Sequence, residues 1–304
     1  MKAVALGAHI LDVLVRPVTE IPEGQGGTLV EEIRLSPAGA AGGVAVTLAK
    51  LGARVQSAGA VGSDRLGDVL VAELDRFGVD CTHLVRRDGV QTSATVLPIR
   101  PTGERPALHV IGANGSYGLD DVPWEAIEAA DFLHLGGPEF IGPEAATEIL
   151  RFCREHGTRT SMNILADGWP ELLEMIAPAL EHVDYLLPND DQAKKLTGRA
   201  DVVEAARALL ERGVGLVAVT RGAEGSLVVA EGEVVPVRAF EVEVVDTTGC
   251  GDAYSAGFLR GLSMGRRPEE AALLGSACAS LVAQGLGTDA GDFDADAMVA
   301  RAES

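Results

Sequence analysis

A chain of 304 residues, 47% hydrophobic and carrying 37 glycines, has apolar material for one large α/β domain with an appendage, which excludes the repeat-array and disordered classes. A formal net charge of −20 excludes a nucleic-acid surface, and leaves any anionic ligand to be held by local N–H groups, metal and a few cations. No apolar run is long enough to span a membrane, and Met1-Lys2 leads straight into a strand pattern, so the expectation is a cytoplasmic protein without a signal peptide.

Lys2-Ala3-Val4-Ala5-Leu6-Gly7 reads as a strand buried on both faces, which puts the start of the fold inside a sheet. The texture then turns hairpin-like over 14–36, with Val13 and Val15, a turn region around Pro22, Gly24, Gly26 and Gly27, and then Thr28, Val30, Ile33 and Leu35. A second such segment occupies 91–112, with Thr95-Val96-Leu97-Pro98-Ile99, the turn Pro101-Thr102-Gly103-Glu104, and Ala107-Leu108-His109-Val110-Ile111. Two inserts that leave and rejoin a core predict a small β-sheet lid, with the core at 1–13, 37–90 and 113–304.

Between the inserts the pattern predicts a helix over 44–51, a strand over 54–60 and a helix from Asp64 to Phe77-Gly78. After them come a strand at 132–135, a helix from Pro143 to His156 closed by Gly157, and strands at 158–163 and 183–187. Helices over 190–196 and 201–212, a strand at 216–220, a hairpin around Gly232, and helices over 268–284 and 294–302 complete the series. Strand–helix alternation of this kind predicts a three-layer α/β/α fold on a mostly parallel sheet. The cysteines Cys81, Cys153, Cys250 and Cys278 are scattered without a Cys-x-x-Cys pair, which indicates neither zinc nor a disulfide framework.

The chemistry concentrates in Val244-Val245-Asp246-Thr247-Thr248-Gly249-Cys250-Gly251-Asp252 and the apolar residues that follow at helical spacing. This reads as extended chain, glycine turn and helix. The N–H groups of Gly249, Cys250 and Gly251 would converge at a helix start, where unpaired donors and the dipole favour an anion. Asp252 sits among them. A carboxylate that takes a proton from an alcohol, beside N–H groups that hold a phosphoryl oxygen, is the minimum equipment for phosphoryl transfer to a hydroxyl. Taken alone, Gly-x-Gly-Asp serves equally as a turn followed by a dipole-favoured carboxylate; Cys250 reads as a small residue filling that turn.

The run Asp-Thr-Thr-Gly-Cys-Gly-Asp-Ala-Tyr-Ser-Ala-Gly-Phe (246–258) closely resembles the C-terminal signature of the ribokinase-like (PfkB) carbohydrate kinases, whose usual form is Asp-Thr-x-Gly-Ala-Gly-Asp. Pro37-Ala38-Gly39 through Gly52-Ala53, and Gly59-Ala60-Val61-Gly62 through Gly67, resemble the N-terminal signature. The resemblance implies the ribokinase-like fold with its β lid, with ATP and magnesium as cofactors. In that pattern Gly39, Gly42 and Gly43 line the acceptor site, although the same glycines alone also permit close helix–sheet packing. The family usually has Gly-Gly-x-x-x-Asn, and here Ala38 replaces the first Gly and Gly43 the sugar-binding Asn.

The resemblance further implies that Asp12 binds two acceptor hydroxyls and that Asn114, in Gly112-Ala113-Asn114-Gly115, lines the same pocket. Asn189 opens the family's Asn-x-x-Glu motif for magnesium and phosphates, with Gln192 in the Glu position, and the strand-end Asp-x-Asn appears as Ser161-Met162-Asn163. Thr220, Arg221, Gly222 and Gly225 match the nucleotide-phosphate loop, Arg221 being weighed against a surface charge. Asp246 and Thr248 match positions that bind a monovalent cation, potassium, in many relatives. His109 reads as an ordinary lid histidine.

The expected activity is an ATP-dependent transfer to a hydroxyl of a sugar or sugar-like molecule, with Asp252 as base. A nucleoside kinase of the same family is the alternative. So is a non-catalytic sugar or nucleotide sensor, motivated by the departures at Gly43, Ser161 and Gln192. A dinucleotide oxidoreductase fails for lack of a glycine fingerprint after the first strand. Unpaired lid edges predict a homodimer through the lid.

Overall fold

In the computed structural model, which describes residues 1–165 and 171–304, successive side chains of β1 (Lys2–Gly7) enter two different cores. Ala3 and Ala5 join one, Val4 and Leu6 the other. A strand buried on both faces requires helices above and below it. The chain supplies them after β2 (Ile10–Arg16) and β3 (Glu32–Ala38), beginning with α1 (Gly42–Lys50), β4 (Arg54–Gly62), α2 (Arg65–Arg76) and β5 (Asp80–Arg87). Then come β6 (Ala94–Pro98), β7 (Leu108–Val110), α3 (Trp124–Glu128), β8 (Phe132–Gly136), α4 (Pro138–Ile141), α5 (Pro143–His156) and β9 (Arg159–Asn163). The rest is α6 (Leu172–Leu180), β10 (Tyr185–Leu186), α7 (Asp190–Thr197), α8 (Val202–Leu210), β11 (Leu216–Thr220), β12 (Ser226–Ala230), β13 (Glu233–Val237), α9 (Cys250–Ser263), α10 (Pro268–Val282) and α11 (Ala295–Glu303).

Among the described residues the large sheet runs β13-β12-β11-β10-β9-β8-β1-β4-β5. It is parallel from β11 to β5, and the β12–β13 hairpin adds an antiparallel edge. β1 lies between β4 and β8, in the sheet interior as expected. One core takes Val44 of α1, Leu70 of α2, Phe258 of α9, Leu274 of α10 and Met298 of α11. The other takes Ile127 of α3, Ile149 of α5, Ile176 of α6 and Leu209 of α8. The three-layer architecture is therefore present.

Local signals set the helix ends. Asp64 Oδ1 accepts from Gly67 N at 2.9 Å to cap α2, and Asp201 accepts from Val203 N and Glu204 N to cap α8. Gly157 closes α5 in the left-handed region. Four elements were not foreseen in the sequence: β5, α3, α4 and α6. β5 is an edge strand with partly exposed charged residues, so its apolar signal is weak. The strand expected at 183–187 shrinks to two residues, and the helix expected to reach 284 ends at Val282.

The second sheet has the order β3-β2-β6-β7. It takes in 10–16 and 32–38, a wider span than the 14–36 expected of the first insert, because Ile10 to Val13 pair with Ala38 to Leu35 and continue the ladder towards the core. Its register sorts side chains by face. Ser36, Asp12, Thr95 and His109 are cross-strand neighbours in one row, and Leu35, Val13, Val96 and Leu108 in the next. The first row is polar. The second is apolar and partly open to solvent, with Leu108 66% exposed.

The lid is anchored to the core through Asp289. Its buried carboxylate accepts from Ser36 Oγ at 2.7 Å and Arg34 Nη2 at 2.8 Å, both on β3, and from Arg76 Nη2 of α2 at 3.1 Å. Leu14, Leu97 and Ile99 of the lid also pack with Leu286 of the core.

Candidate active site

The C-terminal ends of the parallel strands open into a cavity of about 530 Å³, the place where open α/β sheets take their ligands. Asn163 at the end of β9, Asn189 after β10 and Thr220 at the end of β11 contribute to its floor and walls. Gly39, just after β3, and Gly249, Gly251 and Asp252, at the start of α9, line it too. The polar row of the lid closes it through Asp12, Thr95 and His109, with His109 Nδ1 3.0 Å from Thr95 Oγ1. A second cavity of about 420 Å³ lies on the other side of the glycine turn and shares Thr220, Thr247 and Gly251 with the first. Its lining is largely apolar, with Phe240, Val242, Val244, Cys250, Tyr254 and Ala279.

The turn between the cavities is built as the sequence suggested. Gly249 holds a φ of 78°, and a Cβ there would lie 2.5 Å from Thr288 Cα, so the position admits only glycine. The N–H of Cys250 is drawn back to Thr247 O at 3.3 Å, so of the three N–H groups expected to converge at this helix start that of Cys250 is already engaged. Asp246 fixes the turn from below: Oδ1 accepts from Thr248 N at 3.0 Å and Thr248 Oγ1 at 2.9 Å, and Oδ2 from Gly287 N at 3.0 Å. Asp246 and Thr248 thus bind each other and close the 246–248 segment.

Burial pushes the Asp252 carboxyl up to about 7; the nearby Asp12 carboxylate adds to the rise and Arg105 opposes it. Asp12 is also raised to about 7, again chiefly by burial, with Thr95 and Arg105 opposing. It lies within β2 rather than after the first strand, so it reaches the cavity from the lid. Arg105 was missed in the sequence. From the lid turn it stands 3.4 Å from Thr247 Oγ1 and 4.0 Å from Asp246 Oδ1, and it lines the same cavity. Its only sequence signal is that it is one of two arginines, with Arg100, flanking the turn of a hairpin insert in a strongly acidic chain.

Other expected residues lie apart from the cavity. Asn114 accepts from His9 N and donates to His9 O, both at 3.1 Å, so its amide braces the segment after β1. Gly42 packs against the His9 ring, and Gly43 lies under Asp252, where a Cβ would overlap Oδ2. Of the N-terminal glycines only Gly39 lines the cavity. Arg221 turns back to Glu224, with Nη1–Oε2 at 2.9 Å and Nη2–O at 3.1 Å, and lines neither cavity. Gly222 and Gly225 do line the second one.

The departures from the family pattern have local causes. Gln192 completes a capping box with Asn189, each side chain accepting from the other's backbone N–H at 2.8–2.9 Å. Ser161 Oγ stands 2.9 Å from His134 Nδ1, while His134 Nε2 meets Ala40 O at 3.0 Å. Burial lowers His134 to about 4, which keeps it neutral, and an acid at 161 would set a charge beside it. Among the described residues no group of three His, Cys, Asp or Glu side chains forms a metal cluster. No helix there is long and apolar enough to cross a membrane.

The chain matches the model of the pfkB family carbohydrate kinases over residues 1–295. It is 30% identical over 235 residues to an uncharacterized sugar kinase of Archaeoglobus fulgidus, covering 75% of this chain and 91% of that protein. Adenosine kinase from Sinorhizobium meliloti superposes with a TM-score of 0.85 at 28% identity, covering 100% of this chain and 99% of that one. Arabidopsis thaliana ribokinase, solved with ribose and ATP, shares the fold with a TM-score of 0.85 at 22% identity over 100% of this chain and 98% of that one.

A carboxyl raised from 3.8 to about 7 in the folded chain contributes stability at low pH that is lost as pH rises through about 7. Asp252→Asn removes that penalty. Its melting temperature is expected to exceed wild type at pH 8, with the gap narrowing as pH falls through 7 towards 4. Calorimetry checks this, and a variant less stable than wild type at pH 8 contradicts the burial account.

Proposed function

This chain belongs to the pfkB family of carbohydrate kinases, phosphotransferases with an alcohol acceptor, and we propose that it moves the γ-phosphoryl group of ATP to a primary hydroxyl of a sugar or sugar-like molecule. The observation that carries this reading is the carboxylate of Asp252, raised to about 7 beside the Gly249–Gly251 turn at the junction of the two cavities. A base with that affinity for protons is matched to removing one from an alcohol near neutral pH.

In this mechanism the acceptor occupies the 530 Å³ cavity and the nucleotide the apolar one, with its phosphates at the shared turn. Asp12 accepts from acceptor hydroxyls, and Asp252 takes the proton of the attacking one. That oxygen forms its bond to the γ-phosphorus as the bond to the bridging oxygen breaks and ADP leaves. Charge gathering on the phosphoryl oxygens meets the N–H groups of Gly249 and Gly251, the α9 dipole and Arg105. Thr220, Gly222 and Gly225 border the nucleotide. The lid keeps out water, which would compete as acceptor.

Magnesium, when bound, neutralises phosphate charge. The side chains that line this end are the amides of Asn189 and Gln192, already joined in the capping box, and Asp190 pairs with Lys194 at 3.0 Å. That set fits an ion carried mainly by ATP phosphates and water. A potassium ion at Asp246 and Thr248 would have to share oxygens that already hold the turn together, and no step is assigned to it. The four cysteines are free thiols, which suits a cytoplasmic location.

A nucleoside acceptor is the second reading, favoured by the likeness to adenosine kinase. The sensor alternative loses its motive where Gly43, Ser161 and Gln192 each have a packing, orienting or capping task.

The test is ATP consumption against a panel of sugars, sugar acids, polyols and nucleosides. Asp252→Asn is expected to bind ATP normally and lose transfer by about 10²–10⁴-fold. Near wild-type turnover in that variant overturns the base assignment, and a wild type that binds ATP but transfers to no acceptor favours the sensor.

We also propose a homodimer through the lid. The row Leu35, Val13, Val96, Leu108 faces away from the cavity and remains partly exposed, an arrangement that a second copy would cover. Light scattering should give twice the 31.5 kDa chain mass for wild type and one chain mass for Leu108→Asp. A monomeric wild type contradicts it.

A further inference from the structure

Beside Asp252 lies a hydroxyl that the chain itself does not use. Thr288 is 1% exposed, and its Oγ1 has no hydrogen-bond partner among the described residues. Burial without a partner is a cost that folded proteins normally avoid. Thr47 Oγ1, Ser57 Oγ and His9 Nε2 are also buried without partners, but none of those residues lines the 530 Å³ cavity, and Thr288 does.

The packing around Thr288 fixes its place. A Cβ on Gly43 would lie 2.8 Å from Thr288 Cγ2 and would overlap Asp252 Oδ2, so Thr288 and Asp252 stand side by side over that glycine. A Cβ on Gly249 would lie 2.5 Å from Thr288 Cα, which sets the residue against the anion-binding turn as well. Position 43 offers no polar group, and it has no room for one while these two residues stand where they do. The corner where Asp252 and the glycine turn meet is therefore occupied by Thr288, a cavity-lining residue whose buried hydroxyl has no partner among the described residues.

We propose that Thr288 is an acceptor-binding residue whose hydroxyl hydrogen-bonds an oxygen of the acceptor next to the hydroxyl that Asp252 deprotonates. The inference rests on the kinase reading above. A threonine hydroxyl both donates and accepts, so a neighbouring hydroxyl or an ether oxygen satisfies it, and a C–H group does not. The acceptor class narrows to molecules with an oxygen vicinal to the reacting hydroxymethyl group, as in sugars, polyols and nucleosides.

The test compares Thr288→Val, which keeps the shape and removes the hydroxyl, with Thr288→Ser, which keeps the hydroxyl. D-ribose, D-fructose and adenosine serve as acceptor probes with ATP and magnesium, and both binding and turnover are measured. For any probe that wild type phosphorylates, Thr288→Val is expected to raise the acceptor KM about threefold to tenfold. The KM for ATP should stay at the wild-type value, the melting temperature should not fall, because the hydroxyl removed has no partner among the described residues, and Thr288→Ser should restore the acceptor KM. A purely packing role predicts the opposite, with Val tolerated and Ser impaired. An unchanged acceptor KM in Thr288→Val, or equal impairment in both variants, overturns the assignment while leaving the kinase reading intact. A wild type that neither binds nor phosphorylates any of the three contradicts the sugar-or-nucleoside reading itself, and this inference with it.

Discussion

Two largely buried carboxylates, one on the lid sheet and one in the first turn of a core helix, line the same cavity, and much of the architecture serves to make that tolerable. Asp12 comes from the lid and Asp252 from the first turn of α9, and burial raises both to about 7. Each would ionise more readily in the unfolded chain, so the pair works against folding at neutral pH. Arg105 lowers both, and the α9 N-terminus favours the negative form of Asp252. The remaining cost is carried by two extensive cores on either face of the large sheet. A strained electrostatic site on a heavily packed scaffold is the usual form of a catalytic centre.

The lid extends the same logic. Its ladder register places Ser36, Asp12, Thr95 and His109 in one row and Leu35, Val13, Val96 and Leu108 in the other. Most half-buried sheets turn their apolar face to their own core. This one turns Asp12, Thr95 and His109 into the cavity beside Ile10 and Leu97, and leaves Leu35, Val13, Val96 and Leu108 partly exposed on the outer face. The base of the sheet is held by Asp289, which gathers Arg34, Ser36 and Arg76, while the turn that bears Arg105 reaches across to Asp246 and Thr247. The lid is thus tied to the core at its base through Asp289 and reaches the Asp246–Thr247 segment at its tip through Arg105.

Much of this was legible in the sequence, because it depends on local signals. The run from Asp246 to Asp252 specified its own turn and helix, since Gly249 must adopt a positive φ and the helix follows by apolar spacing. The alternating strands and helices likewise predicted the three layers. What was not legible depends on register and on distant partners. That Asp12 belongs to the lid follows only from its pairing with Ser36 and Thr95. Arg105 gains its role from where a hairpin tip lands. Asn114 and Arg221 have suitable chemistry but are engaged by His9 and Glu224. Gln192 was readable in another sense: Asn-x-x-Gln before a helix is a capping box as well as an altered metal motif.

The central claim is that the buried carboxylate of Asp252 removes the proton of the attacking hydroxyl. The most direct measurement is the pH dependence of kcat/KM for a phosphorylated acceptor, which reports groups of the free enzyme. The account predicts a rate that rises with pH along an acid limb of apparent pKa about 7, because Asp252 must be ionised to act and burial delays that ionisation. A rate that is flat from pH 5 to 8, or that falls as pH rises through 7, would contradict it.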